Sequence, residues 1–258
     1  MLRNILSHPL TRDLDLDSPE TTELRRQIIQ SKPFLKKIYE EWYDMLISRF
    51  PGGNLKRVFE IGSGAGFLGQ VAPDVISSDL LHIAGVDLVM DAQCIPAADE
   101  GLHGLLMVNV LHHIPDIRGL FREASRSLEV GGMIVMIEPW LTTWSRMVYT
   151  KLHHEPLDDQ AAEWKIQGEG PLSGANSALP WIVFHRDLAR FQQDFPEWEI
   201  REVRPFMPLR YLLSGGISLR NLMPGFSFGF WRLMETLLTP LNHHISMFAI
   251  ITLQKRSI

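Results

Sequence analysis

Residues 57–66, Arg-Val-Phe-Glu-Ile-Gly-Ser-Gly-Ala-Gly, constrain the fold of this chain more than any other stretch. They read as a short apolar strand that ends near Ile61, with the carboxylate of Glu60 at its end and alternating glycines directly after it. Lacking a Cβ, Gly62, Gly64 and Gly66 can take positive φ and leave room for a ligand to lie against the main chain. Glu60 sets fixed negative charge at the mouth of the loop, which suits a ligand carrying a cation better than one carrying a pyrophosphate.

A competing frame exists, because Gly64-Ala-Gly-Phe-Leu-Gly69 satisfies the dinucleotide fingerprint and would make the chain an NAD-dependent oxidoreductase. That frame requires a full helix directly after the strand, whereas Pro73 stops any helix here after little more than a turn or two. A bare glycine turn joining strand to helix is the plain structural alternative, and the downstream residues weigh against it.

Asp79 ends the run Val75-Ile-Ser-Ser and lies 17 residues after Gly62, placed to accept hydrogen bonds from a ribose diol at the carboxyl edge of a parallel sheet. Asp91 closes a second apolar run, Val86-Asp-Leu-Val-Met90, where it could accept from an exocyclic amine. For both residues the alternative is an aspartate that caps a turn. Further on come Leu106-Met-Val-Asn-Val-Leu-His-His-Ile-Pro-Asp116, which reads as a fourth strand and its following loop, and Leu128-Glu-Val-Gly-Gly-Met-Ile-Val-Met-Ile-Glu138, which reads as a Gly-Gly turn into a fifth strand, with a helix between Ile114 and Gly132 that the glycine pair ends.

In this order, from about Val58 to Glu138, these stretches resemble the class I S-adenosylmethionine-dependent methyltransferases, and among them the group called methyltransferase type 11. The resemblance implies an α/β fold, Rossmann-like and doubly wound, with a mostly parallel seven-stranded sheet whose last strand is antiparallel. It also implies an amino-terminal helical cap and insertions after strands 5 and 6. The implied cofactor is S-adenosylmethionine, held by Glu60, Gly62, Ser63, Gly64, Gly66, Asp79, Asp91, Ala92, Asn109 and His112. The implied reaction is in-line displacement of the methyl group by a small-molecule acceptor. A binding protein that keeps the fold without catalysis is a third class of reading.

The chain departs from the family between Asp79 and Asp91, where only eleven residues intervene and most relatives carry a helix. Leu80-Leu-His-Ile-Ala-Gly85 is too short for that crossover, so another element, the amino-terminal segment being the candidate, is expected to cover the gap.

The 258 residues suit a helical cap over 1–50 and one domain over 51–258 with insertions at about 139–182 and 205–243. Within the cap, Phe34, Leu35, Ile38, Tyr39, Trp42, Tyr43, Leu46 and Ile47 recur at helical spacing, for a helix that either packs on the sheet or closes over the cofactor. Arg25-Arg26 and Lys36-Lys37 read as a solvated face. After the fifth strand, Arg186 to Phe195 reads as a helix, Trp198 to Val203 as the sixth strand and Ser246 to Leu253 as the last. The segment Pro205 to Asn242 is rich in Phe, Trp, Leu and Met, which surround a helix rather than striping it. Core or lid is the default for it, with an apolar substrate, peripheral lipid contact or a dimer contact as alternatives.

A net charge of −5 argues against nucleic acid as substrate. Cys94 is the single cysteine, so no intrachain disulfide can form. With no apolar run long enough to span a bilayer and no signal core, a cytoplasmic location is expected. If the acceptor must lose a proton, histidine has the matching unperturbed pKa. His113 after the fourth strand and His154 in the following insertion are the candidate bases. No spaced set of metal ligands stands out, since His153-His154-Glu155 are adjacent and point in different directions.

Overall fold

The computed structural model describes residues 15, 17–153, 155–166, 170 and 173–257. Its frame is a sheet of order β3-β2-β1-β4-β5-β7-β6, formed by β1 (Val58–Ile61), β2 (Ile76–Asp79), β3 (Leu88–Val89), β4 (Leu102–Val108), β5 (Leu128–Pro139), β6 (Trp198–Phe206) and β7 (Phe248–Lys255). The strands from β3 to β5 pair parallel, and β7 runs antiparallel to both β5 and β6. This is the doubly wound, mostly parallel seven-stranded sheet that the sequence predicts. Strand order reverses between β1 and β4, so the carboxyl ends of these two strands flank the crevice where doubly wound proteins bind ligands.

Two apolar layers cover the sheet. On one side α2 (Pro33–Ile47) buries Phe34, Leu35, Ile38, Tyr39, Trp42, Tyr43 and Leu46 against Val135, Ile137 and Ile250. Fully burying an aliphatic or aromatic side chain of this kind contributes about 1.5–3 kcal/mol, so this single stripe is enough to fix the helix to the sheet. On the other side, α4 (Ile117–Ser127) and α7 (Leu188–Asp194) pack Leu120, Phe121, Ala124 and Phe191 onto Leu105, Met107 and Ile134.

Local chemistry sets the helix ends. Ser18 caps α1 (Pro19–Ser31) by accepting from the Thr21 amide, with Pro19 in the first turn where its missing N–H costs nothing. Lys32 separates α1 from α2, which again begins on a proline. Asp116 caps α4 through the Arg118 amide. Thr142 and Ser145 form a reciprocal capping box at the start of α5 (Thr143–Leu152).

Two expectations about local punctuation hold, and two others, at Gly131-Gly132 and at Arg25-Arg26, are overturned for physical reasons. Helix α3 (Leu68–Val71) is a single turn, ended ahead of Pro73. The Gly131-Gly132 pair, expected as the turn before the fifth strand, lies inside β5: the strand begins at Leu128 and bulges there. Leu102 pairs with Leu128 but Gly104 with Met133, and Gly131 takes φ +85°. No helix joins β2 to β3, as the short spacing implies, and the amino-terminal segment covers the gap. Arg26 on α1 donates to the Ala84 carbonyl (2.8 Å) and the Gly64 carbonyl (3.1 Å). The expected solvated face at Arg25-Arg26 is therefore wrong, because the guanidinium of Arg26 bridges the glycine loop to the helix-less crossover.

After β5 the chain forms α5 and then, past a loop, α6 (Leu179–Trp181) and a π turn leading to α7. Between β6 and β7 it forms α8 (Arg210–Ser214), α9 (Phe228–Leu238) and α10 (Asn242–Ile245).

Candidate active site

A cavity of about 320 Å³ opens at the carboxyl ends of β1 and β4. Its floor is the loop 61–66, tied to β2 through Ser63, whose amide donates to the Ser78 carbonyl (2.8 Å) while its hydroxyl accepts from the Ser78 amide (3.1 Å). The same hydroxyl donates to Glu60 (2.7 Å). Gly62 and Gly64 have φ of +65° and +46°. A Cβ on Gly62 would sit 2.6 Å from Val110, and one on Gly66 would meet the Ser63 carbonyl and the Tyr43 hydroxyl at 2.8 Å. Gly64 is different, because the nearest atoms to its missing Cβ are 3.6 Å away or more. Gly62 and Gly66 thus let the loop fold, and Gly64 leaves the space in front of it.

Carboxylates gather at this end. Burial, joined by the charge of Asp79, pushes the Glu60 carboxyl up to about 7 against the lowering effect of the Ser63 hydrogen bond. Asp79 accepts from the amides of Gly64 and Leu81, both at 2.9 Å, and burial raises its pKa despite those bonds. Asp91 and Ala92 border the cavity, and Asp91 is exposed and accepts from the Gln93 amide (2.8 Å), so it closes a turn as well as facing the site. Asn109, at φ +57° directly after β4, lines the cavity with a buried Oδ1 that has no partner among the described residues. An orphan acceptor beside several carboxylates suits a ligand that brings donors and positive charge.

A second ionisable group lining the cavity is built around His112 and Glu155. Glu138 at the end of β5 accepts from the amides of Val110 (2.7 Å) and Leu111 (2.8 Å) and from His112 Nδ1 (2.7 Å). His112 Nε2 lies 3.2 Å from Glu155. Burial alone would lower the His112 pKa, but hydrogen bonds and charge from both carboxylates outweigh it and raise the imidazole to about 10. Burial likewise works against ionised Glu155, yet His112 and His113 hold it well below the usual carboxylate range. His112 is therefore an imidazolium clamped between carboxylates, and it meets the cavity with its ring rather than with a free nitrogen.

His113 is arranged otherwise. Its Nδ1 is 2.9 Å from the Gly174 carbonyl, which can only accept, so Nδ1 carries a proton, and Nε2 faces Glu155 at 3.6 Å. His154 lies outside the described residues. His112, His113 and Glu155 each offer a ligand atom within 4.8 Å of the others, a spacing that one cation could bridge. The sequence shows no such set because its members come from separate segments, and their mutual hydrogen bonding is already self-sufficient.

The sequence reading missed several wall residues. All four tyrosines of the chain, Tyr39, Tyr43, Tyr149 and Tyr211, line the cavity, and so does Arg25 from α1. Burial lowers the Arg25 pKa, opposed most strongly by the Glu155 charge. The helical spacing of Tyr39 and Tyr43 marks them as inward-facing but not as site residues; Tyr211 and Arg25 leave no local signal. The helix that packs on the sheet and the helix that closes over the cavity are one and the same, α2.

Residues 59–136 match the family model described as methyltransferase domain. The whole fold is similar to geranyl diphosphate C-methyltransferase from Streptomyces coelicolor, with a TM-score of 0.54 at 14% identity, covering 97% of this chain and 89% of that one. It is also similar to an S-adenosylmethionine-dependent methyltransferase from Thermotoga maritima, with a TM-score of 0.51 at 14% identity over 92% and 94% of the two chains. No curated protein matches the sequence. The chain carries a methyltransferase domain in the class I, S-adenosylmethionine-dependent fold, and S-adenosylmethionine is the cofactor of that class. The dinucleotide frame fails on the single-turn helix α3, which gives a pyrophosphate little aligned backbone to bind.

Proposed function

We propose that this protein transfers a methyl group from S-adenosylmethionine to a hydroxyl of a small, largely apolar acceptor, with His113 as general base. The observation that supports this most directly is that the glycine-and-carboxylate loop and the His113–Glu155 pair line one cavity. When bound, the cofactor supplies an activated methyl on a sulfonium.

On this reading Gly64 makes room for the cofactor, Glu60 and Asp79 complement its positive charge and hydroxyls, and the Asn109 side chain accepts from it. Asp91, Ala92 and the ring of His112 complete the cofactor wall. The acceptor lies among Tyr39, Tyr149 and Tyr211, rigid side chains that exclude water and restrict its orientation, an effect worth up to ~7–11 kcal/mol in favourable cases. His113 Nε2 takes the acceptor proton, and Glu155 stabilises the imidazolium that results. Glu138 and His112 hold Glu155 in place and ionised.

His113→Asn is expected to lower kcat by roughly 100-fold or more while leaving cofactor affinity unchanged, the range set by removal of a general base. The check is transfer of tritium from labelled cofactor into a panel of hydroxylated amphiphiles, followed by titration calorimetry of the same variant. Undiminished turnover in the variant would rule out His113 as the base.

A further inference from the structure

Helix α9 is amphipathic in the unusual sense. Its inner side carries Phe228, which meets Phe34 edge to face at 5.2 Å, and Glu235, which is buried on Arg210. Its outer side carries Phe230, Leu233 and Leu237, and the stripe continues to Phe226 before the helix and Leu241 after it. Steps of four, three, four and four residues put all five on one side of a helix. Phe226 is 89% exposed, Leu237 65%, Phe230 and Leu233 58% each, and Leu241 49%. The helix already has its core contacts, so this second apolar face is not a misplaced core stripe.

We propose that this face docks on an anionic lipid surface, which would deliver an amphiphilic acceptor to the cavity; the delivery rests on the methyltransferase reading, the docking does not. The charges around the face select the occupant. Between residues 205 and 246 the only carboxylate is Glu235, and it is buried and spent on Arg210 and on the amides of Leu209 and Arg210. The exposed charged side chains of that segment, Arg220 and Arg232, are both cationic, and Lys37 reaches the Gly225 carbonyl (3.4 Å) beside Phe226. An apolar stripe in a segment whose exposed charges are all positive, on a chain whose net charge is −5, fits anionic headgroups over acyl chains. A symmetric second copy would bring the same positive charges against one another.

The position suits a lipid acceptor. The segment that carries the stripe on its outside also supplies Tyr211, Ile217 and Ser218 to the cavity wall. No helix among the described residues is long and apolar enough to cross a membrane, so the face would lie on a bilayer and not span it.

The test is flotation of the full chain with vesicles of phosphatidylcholine alone and with about a third phosphatidylglycerol, at low and high salt, a mixture chosen for its negative surface potential. The triple variant Phe226→Ser, Phe230→Ser, Leu237→Ser and the pair Arg220→Gln, Arg232→Gln are run beside it, with light scattering for oligomeric state and calorimetry with S-adenosylmethionine as a fold check. The expected result is flotation with the anionic vesicles only, lost in the triple variant, at least tenfold weaker in the arginine pair and weakened by salt, with cofactor binding retained throughout. Absence of flotation at either composition overturns the proposal, and so does a dimer that the triple variant dissociates. Flotation without cofactor binding would leave the docking intact and remove the methyltransferase reading instead.

Discussion

Glu60 shows how one side chain links stability to binding. Its carboxyl titrates near 7 in the folded protein, above the value near 4.5 of an exposed glutamate, so the folded state holds a proton that the unfolded chain releases between those values. The sign follows: the ligand-free protein keeps its full stability from this group below pH ~4.5 and loses about 3 kcal/mol of it as pH rises through 7. Glu60→Gln is expected to flatten that slope, read from melting curves at pH 5 and pH 8. Since a cationic cofactor favours ionised Glu60, binding should release a proton near pH 6.5, visible as a buffer-dependent heat in the wild type and absent in the variant. Glu60 and the glycines are legible in the sequence because backbone geometry and a strand-end charge leave a local signature. Tyr211, Arg25 and the pairing of His112 with Glu155 are not, because residues far apart in the chain meet there only once the sheet has formed.

At the scale of elements, the buried Arg210 holds the insertion after β6 to the body of the protein. It pairs with Glu235 on α9 and with Glu41 on α2 (2.6 and 2.7 Å), while Glu235 also accepts from two amides at the start of α8. Removing one partner of such a network strands a buried charge, at a cost of about 3–5 kcal/mol. Glu235→Ala should therefore lower the unfolding free energy by that amount in denaturant titrations, whereas loss of an exposed, solvent-screened ion pair such as Arg201–Glu199 should barely move it. Strand and helix positions up to β5 follow the sequence closely, since apolar runs, proline and glycine punctuate them. The insertion does not: read by composition its apolar residues surround a helix, and the buried Arg210–Glu235 pair and the Phe228–Phe34 contact set which side faces inward and which faces outward.

At the scale of the molecule, the sheet order brings the ends of β1 and β4 together, and helices α1, α2 and α5 and the late insertion wall the space above them. The family match covers the sheet half of that arrangement, residues 59–136, and the walls that would select an acceptor lie outside it. On the proposed reading the glycine-and-carboxylate loop holds S-adenosylmethionine. Isothermal titration with S-adenosylmethionine, S-adenosylhomocysteine and NAD, on the wild type and on Gly64→Arg, tests it directly. Saturable heat from the first two ligands, none from NAD, and loss of both signals when an arginine fills the space at Gly64 is the predicted result; binding of NAD in place of the sulfonium, or binding undisturbed in the variant, would contradict it.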